Sequence, residues 1–516
     1  MSTALIANRA TRPTLTARVG RGMLWNVAGK SVVTGLSFVM GVVLARGLSP
    51  AEFGAYSLVW AMYMTLLLVS SLGVETGLMK YVPELHARNE NAAAREVVGA
   101  AMGGKLALLL AVSAVFVAVS DVIVGRLFGG AQLRAAYLYL IPGLLVPCGL
   151  NATYRSVLES EYQQRLVNLV DVVQIVGRLA GVIAALSWQF GVLGVMLANL
   201  LVEWIVLVIY AIAARGALAW PRAGWTPQLR KLATFSVTIW VMTLASILIG
   251  KNSDLLLLGA FADTPTTGMY NLAYTFALQA YMVMTLPLGN LALVAAAELT
   301  GSGDEGRLWR ATGLFLKYHL LFVPPLCLGE VLLAEPLVTR LYGAEYLPTV
   351  VLLKWYLVVF AINILFSGPF TTLLISMEQH RAVMIANIGA GVLNLAANLV
   401  LVPRFGALGA IAGTGLANVV SVIWLGVLLR RQIAWEFPFA FALKTVLAAA
   451  AMGVSAVWLA PRATGWPALT LIVAGCALIY ATALKLTRPF SEADLALLGG
   501  ARIPGSGIVR RLLATA

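Results

Sequence analysis

The chain has 516 residues, of which 60% are apolar and only 11% charged, with a formal net charge of +14. A soluble chain carries about a quarter charged residues, so this composition excludes an ordinary soluble enzyme and indicates a polytopic membrane protein. The basic excess reads as Lys and Arg flanking membrane spans, not as a nucleic-acid surface.

Taken in order, residues 1–21 hold Arg9, Arg12, Arg18 and Arg21 without an acid and read as a cytoplasmic tail. Gly22 to Ala45 is apolar for long enough to cross a bilayer core about 30 Å thick. It nevertheless carries Lys30, and helical spacing puts Asn26, Lys30, Thr34 and Ser37 on one face. An ammonium at such depth costs a few kcal/mol or more, which marks a functional site by default. A turn-rich link, Arg46 to Gly54, leads to a second span near 55–79, and Lys80 to Glu96 reads as a polar cytoplasmic loop. Further spans are expected near 98–120, 135–157, 165–187 and 190–213. The link 214–232, with Arg215, Arg222, Arg230, Lys231, Trp220 and Trp225, reads as interfacial. Six more spans follow near 233–258, 267–292, 311–334, 349–375, 381–402 and 406–429, and two near 440–460 and 467–486. The expectation is an all-α fold of about 14 transmembrane helices.

With both termini inside, most Lys and Arg collect on the cytoplasmic side, leaving Arg46, Arg126, Arg134, Arg340, Arg404 and Arg462 opposite. That asymmetry orients the chain.

The chain also repeats at about 215 residues. Gly54-Ala-Tyr56-Ser-Leu58 recurs as Gly268-Met-Tyr270-Asn-Leu272, Leu72-Gly73 as Leu288-Gly289, Gln164-Arg165 as His380-Arg381, and Phe190-Gly191 as Phe405-Gly406. Each copy holds six spans, so both copies point the same way, a transporter architecture with the substrate path expected between the halves. The resulting organisation is a tail (1–21), an N-lobe (22–213), a cytoplasmic interfacial linker (214–232), a C-lobe (233–430), two C-terminal helices (431–487) and a cytoplasmic tail (488–516).

Other polar faces recur within the spans. Asn168, Asp171, Gln174 and Arg178 share a face, as do Asn387, Gly391, Asn394 and Asn398, and Thr243, Lys251 and Asp254. Glu203 aligns with Asn418. Asp171–Arg178 and Lys251–Asp254 are close enough in sequence to neutralise one another, whereas Lys30 has no such neighbour. Glu75 and Glu330 read as interfacial, and Lys105 is ambiguous. Cys148, Cys327 and Cys476 sit in apolar runs and His86, His319 and His380 are scattered. No metal site, catalytic constellation or phosphate-cradling glycine loop is suggested, so no cofactor and no enzyme activity are expected.

Trp25-Asn26, the link Leu44-Ala-Arg-Gly-Leu-Ser-Pro-Ala-Glu-Phe-Gly-Ala-Tyr56, Leu72-Gly73 and Lys80-Tyr81-Val-Pro83-Glu84 resemble the polysaccharide transporter family. That family includes O-antigen and exopolysaccharide flippases and belongs to the multidrug/oligosaccharidyl-lipid/polysaccharide flippase superfamily. The resemblance implies two six-helix lobes plus two trailing helices in a bacterial inner membrane. It implies movement of a polyprenyl-pyrophosphate-linked oligosaccharide to the periplasmic leaflet, with polymerase and glycosyltransferases as candidate partners. Relatives hold the pyrophosphate in a cationic cavity, which by position nominates Lys30, Arg178 and Lys251, with Asn26, Thr34, Asn387 and Asn394 lining it. Asp171, Glu203 and Asp254 are the candidates for coupling to H⁺ or Na⁺. The alternatives are a cation-coupled drug or metabolite exporter and a non-transporting scaffold for polysaccharide assembly.

Overall fold

The computed structural model describes the backbone of residues 15–123, 125, 135–216, 226–247, 250–281, 305–433, 436–462 and 465–490. Of these it describes all side chains except those of 15–28, 135, 242, 245–247 and 305–312. Every regular element among them is a helix, and eleven helices are long and apolar enough to cross a membrane. In order the longer helices, spanning or not, are α1 (Leu15–Gly47), α2 (Pro50–Val69), α3 (Val74–Ala87), α4 (Asn91–Val122), α5 (Ile141–Ser160), α6 (Gln164–Ser187), α7 (Gly191–Ala213) and α8 (Pro227–Ile247). Then come α9 (Lys251–Phe261), α10 (264–281), α11 (Glu305–Leu341), α12 (Thr349–Ile362), α13 (Gly368–Ser376), α14 (His380–Gln432), α15 (Phe439–Leu459) and α16 (Trp466–Thr487). The chain forms two compact units, 1–247 and 248–516. Helix α8, which the sequence reading puts at the start of the C-lobe, groups with the first unit.

Three expected elements change shape. The second span ends at Val69, and the link after it turns through Leu72 (φ 51°) and Gly73 (φ 65°) before α3 begins. The stretch expected as the loop Lys80–Glu96 is therefore mostly helix, with only 88–90 between α3 and α4. The seventh span, expected as one helix over 233–258, is two, because Gly250 is extended (φ −87°, ψ 158°) and caps α9. Thr243 thus lies on a different helix from Lys251 and Asp254.

Local chemistry explains the starts and stops. Ser49, Pro50 and Glu52 make a reciprocal capping box at α2: Glu52 N donates to Ser49 Oγ (3.3 Å), and Ser49 N donates to Glu52 Oε2 (3.0 Å). Gly73 has a second reason to be glycine, since a Cβ there would stand 2.4 Å from Ser236 O on α8. At Gly77 it would meet Leu232 Cδ1 at 2.5 Å. Two small residues four apart let α3 and α8 approach closely, the usual device where lipid removes the hydrophobic drive for helix association. Trp240 Nε1 on α8 then donates to Val69 O (2.8 Å) at the open end of α2. Val74, Leu78, Val82, Val97, Val98, Val157 and Leu232 fill the apolar seam around this junction.

The repeat survives as backbone geometry. Tyr162 and Glu378 hold the same left-handed conformation (both φ 61°), each just before α6 and α14. Gly191 (φ 55°) and Gly406 (φ 56°) likewise correspond, and Gly406 divides α14 into two arms. Asn151 Nδ2 donates to Glu203 Oε2 (3.0 Å) in the first unit, and Asn363 Nδ2 to Asn418 Oδ1 (3.2 Å) in the second. The counterpart of Leu72-Gly73, Leu288-Gly289, lies outside the described residues.

Candidate substrate and ion sites

In the first unit α1 lies along α6, so closely that a Cβ on Gly29 would sit 3.1 Å from Asn168. Lys30 follows that contact and is exposed, with no ion pair among the described residues; Thr34 is half-buried one turn on. The side chain of Asn26 lies outside the described residues. Asp171 does not pair with Arg178. Its Oδ1 binds Arg155 Nη1 (2.8 Å), and Arg155 Nε also binds Glu159 Oε1 (3.0 Å).

Arg178 instead pairs with Glu203 of α7, which is fully buried. Gln174 Nε2 also donates to Glu203 Oε1 (2.7 Å), and Asn151 supplies a third donor. The guanidinium lies 5.6 Å from the Trp60 ring centre. A carboxylate with one cation and two amides is neutralised and saturated, the condition under which a buried ion pair is tolerated. Sequence spacing suggested Asp171 as the partner of Arg178, but seven helical residues separate two side chains by about 10 Å along the axis. Side chains on packed neighbouring helices meet more easily.

A further pair was not anticipated. Lys105, 1% exposed, binds Glu75 Oε1 (2.8 Å) and the carbonyl of Ser71 (3.0 Å) in the link between α2 and α3. Glu75 is therefore engaged across helices rather than simply interfacial. No spacing rule reveals such a contact, because its members lie 30 residues apart.

In the second unit Lys251 and Asp254 sit on the same turn of α9 but face different partners. Lys251 Nζ donates to Asn271 Oδ1 (2.9 Å) and Thr275 Oγ1 (3.4 Å), and lies 5.5 Å from the Tyr274 ring centre. No carboxylate pairs with it among the described residues. Asp254, 1% exposed, receives only neutral donors: Tyr270 Oη (2.6 Å), Asn398 Nδ2 (2.7 Å), Asn394 Nδ2 (3.4 Å) and Thr414 Oγ1 (3.3 Å). Tyr356 Oη in turn donates to Tyr270 Oη. The expected Lys251–Asp254 neutralisation does not form. Asn394 and Asn398 join this cluster, whereas Asn387, two turns earlier on α14, is exposed and outside it. No cluster of metal-ligand type occurs among the described residues.

Bundled apolar helices with buried polar clusters define a multi-pass membrane protein. A family model described as "Polysaccharide biosynthesis protein" matches residues 19–293, and the chain belongs to that family. The succinoglycan biosynthesis transport protein ExoT of Rhizobium meliloti (strain 1021) is 27% identical over 343 residues, which cover 65% of each protein. The match thus spans just under two thirds of that relative's length. The fold is that of a solved structure described as lipid II flippase MurJ, inward closed conformation, with a TM-score of 0.71 at 15% identity, covering 90% of this chain and 98% of that one. An inward-facing multidrug resistance MATE family transporter of the MOP superfamily gives a TM-score of 0.56 at 15% identity, covering 77% and 94%.

Proposed function

We propose that the protein is a flippase that moves a polyprenyl-pyrophosphate-linked oligosaccharide from the cytoplasmic to the periplasmic leaflet for cell-surface polysaccharide synthesis. Both termini then face the cytoplasm, in keeping with the distribution of Lys and Arg. Family membership and the relative described as a succinoglycan transport protein support the substrate class. The observation that carries the phosphate role is the different fate of three embedded cations. Arg178 is engaged by Glu203, while neither Lys30 nor Lys251 forms an ion pair with a carboxylate among the described residues. Lys30 and Lys251 each hold phosphate oxygens, Thr275 and Thr34 offer hydrogen bonds to the head group, and the polyprenyl tail stays in lipid. With the inside negative, each net negative charge moved outward gains about 2.3 kcal/mol per 100 mV. Coupling to H⁺ or Na⁺ falls to Asp254, because Asp171 and Glu203 already hold arginines.

The rival reading, a cation-coupled multidrug exporter, draws on the MATE-like fold and on Asp254, a buried carboxylate without a paired cation. The deciding experiment measures periplasmic exposure of lipid-linked glycan in cells carrying Lys30→Ala or Lys251→Ala at normal protein abundance. Lost exposure supports the flippase. Unchanged exposure together with restored drug resistance in an efflux-deficient host supports the exporter. Unchanged exposure without drug resistance leaves the scaffold reading.

A further inference from the structure

The Arg155–Asp171 contact has an unusual composition for a structural ion pair. Arg155 remains 35% exposed, and its guanidinium turns Nε to Glu159 and Nη1 to Asp171 while Nη2 makes no bond among the described residues. Asp171 offers one oxygen to Arg155 and leaves Oδ2 without a bond among the described residues. One turn away on α6, Asn168 is 3% exposed, yet both of its amide atoms make no hydrogen bond there. A guanidinium grips a single carboxylate one turn from an unused buried amide, and Lys30 follows Gly29, whose Cβ would meet that amide residue at 3.1 Å. That donor set, a planar fork plus a point charge plus an amide, is the one that recognises a phosphate group.

We infer that Asp171 is an internal stand-in anion, and that Arg155 is a substrate-binding residue which, with Lys30, takes a pyrophosphate group in exchange for the Asp171 carboxylate. The inference rests on the reading of Lys30 as a phosphate ligand. As the structure stands, Arg155 is held by both Asp171 and Glu159, so an incoming anion gains little net attraction there until Asp171 gives way. Such an exchange keeps Arg155, a half-buried cation, balanced when no substrate is bound, since an unpaired charge is costlier than a paired one. It also keeps retention weak enough for release. By the charge rule the cluster lies toward the cytoplasmic end of α1 and α6, where a lipid-linked head would be taken up.

The test measures binding of inorganic pyrophosphate and, separately, of undecaprenyl pyrophosphate to the full chain in nanodiscs. Asp171→Asn is expected to tighten both by roughly tenfold, because it removes the competing charge and keeps the side-chain shape. Arg155→Gln is expected to weaken both by a similar factor. Asp171→Ala serves as the second variant, and monodisperse, correctly folded protein is verified for each. Structural damage weakens binding and cannot mimic a gain in affinity. If Lys30→Gln weakens binding but Asp171→Asn does not tighten it, the stand-in role is overturned. If Lys30→Gln leaves both affinities unchanged, the phosphate reading itself has failed. Tightening for the inorganic ion alone overturns the assignment to a lipid-linked head.

Discussion

Tyr480 on α16 donates its hydroxyl to the carbonyl of Leu321 on α11 at 2.5 Å. Leu321 O would normally accept the amide of residue 325, and that residue is proline, which has no N–H. The trailing helix thus satisfies a carbonyl that the helix interior cannot, a recurrent solution where no water is available. Around it Leu316, Leu320, Phe441 and Leu484 close the seam between α11, α15 and α16.

Tyr480→Phe removes the donor and leaves the shape. The expected cost is about 1 kcal/mol, in the range of membrane hydrogen bonds. A thermal-stability measurement in detergent checks it, and no loss would show that another group caps Leu321.

Gly73→Ala should be among the most damaging single changes in the first unit. The left-handed backbone disfavours any side chain, and the new Cβ would stand 2.4 Å from Ser236 O. We expect a loss of about 3 kcal/mol or more, since the clash falls on backbone. Gly103→Ala, in open space on α4, should be neutral or stabilise by up to about 1 kcal/mol. Comparative melting of the two variants decides whether the close approach of α3 and α8 is needed.

Arg178→Met should cost about 3–5 kcal/mol by leaving Glu203 charged, buried and unbalanced. Adding Glu203→Leu should recover most of that loss, because an apolar pair of similar volume is tolerated where an isolated charge is not. A double-mutant cycle on thermal stability measures the coupling, and simple additivity of the two losses would refute it.

In the second unit, Lys251→Gln should lower glycan exposure by about tenfold, consistent with losing one charge-assisted contact. Asn387→Ala, exposed and remote from the Asp254 cluster, should change it by less than about twofold. Asp254→Asn should abolish dependence on the coupling ion while leaving glycan binding in place. Transport assays across pH and Na⁺ concentration distinguish these outcomes.

Several of these features were legible in the residues. Most of the spans were, because a bilayer demands about 20 apolar residues per crossing and the chain supplies them, although the seventh expected span breaks at Gly250. The repeat was too, and it reappears as matched left-handed turns at Tyr162 and Glu378 and matched glycines at 191 and 406. Lys30, Lys251 and Asp254 stood out because a charge in an apolar run is rare on its own terms.

What the residues by themselves determined is the material of the fold: how many apolar stretches there are, which faces carry polar groups, and where the chain repeats. Only the tertiary structure decided which groups meet. Helical spacing assigns a side chain to a face, but the partner comes from another helix far away in sequence, as with Arg178 and Glu203, Arg155 and Asp171, or Lys105 and Glu75. The breaks at Leu72–Gly73 and Gly250 were hidden for a related reason. An apolar run records that a segment crosses lipid, while the points where its backbone can leave the helix depend on neighbours, such as Trp240 at Val69 O, that take up the freed groups.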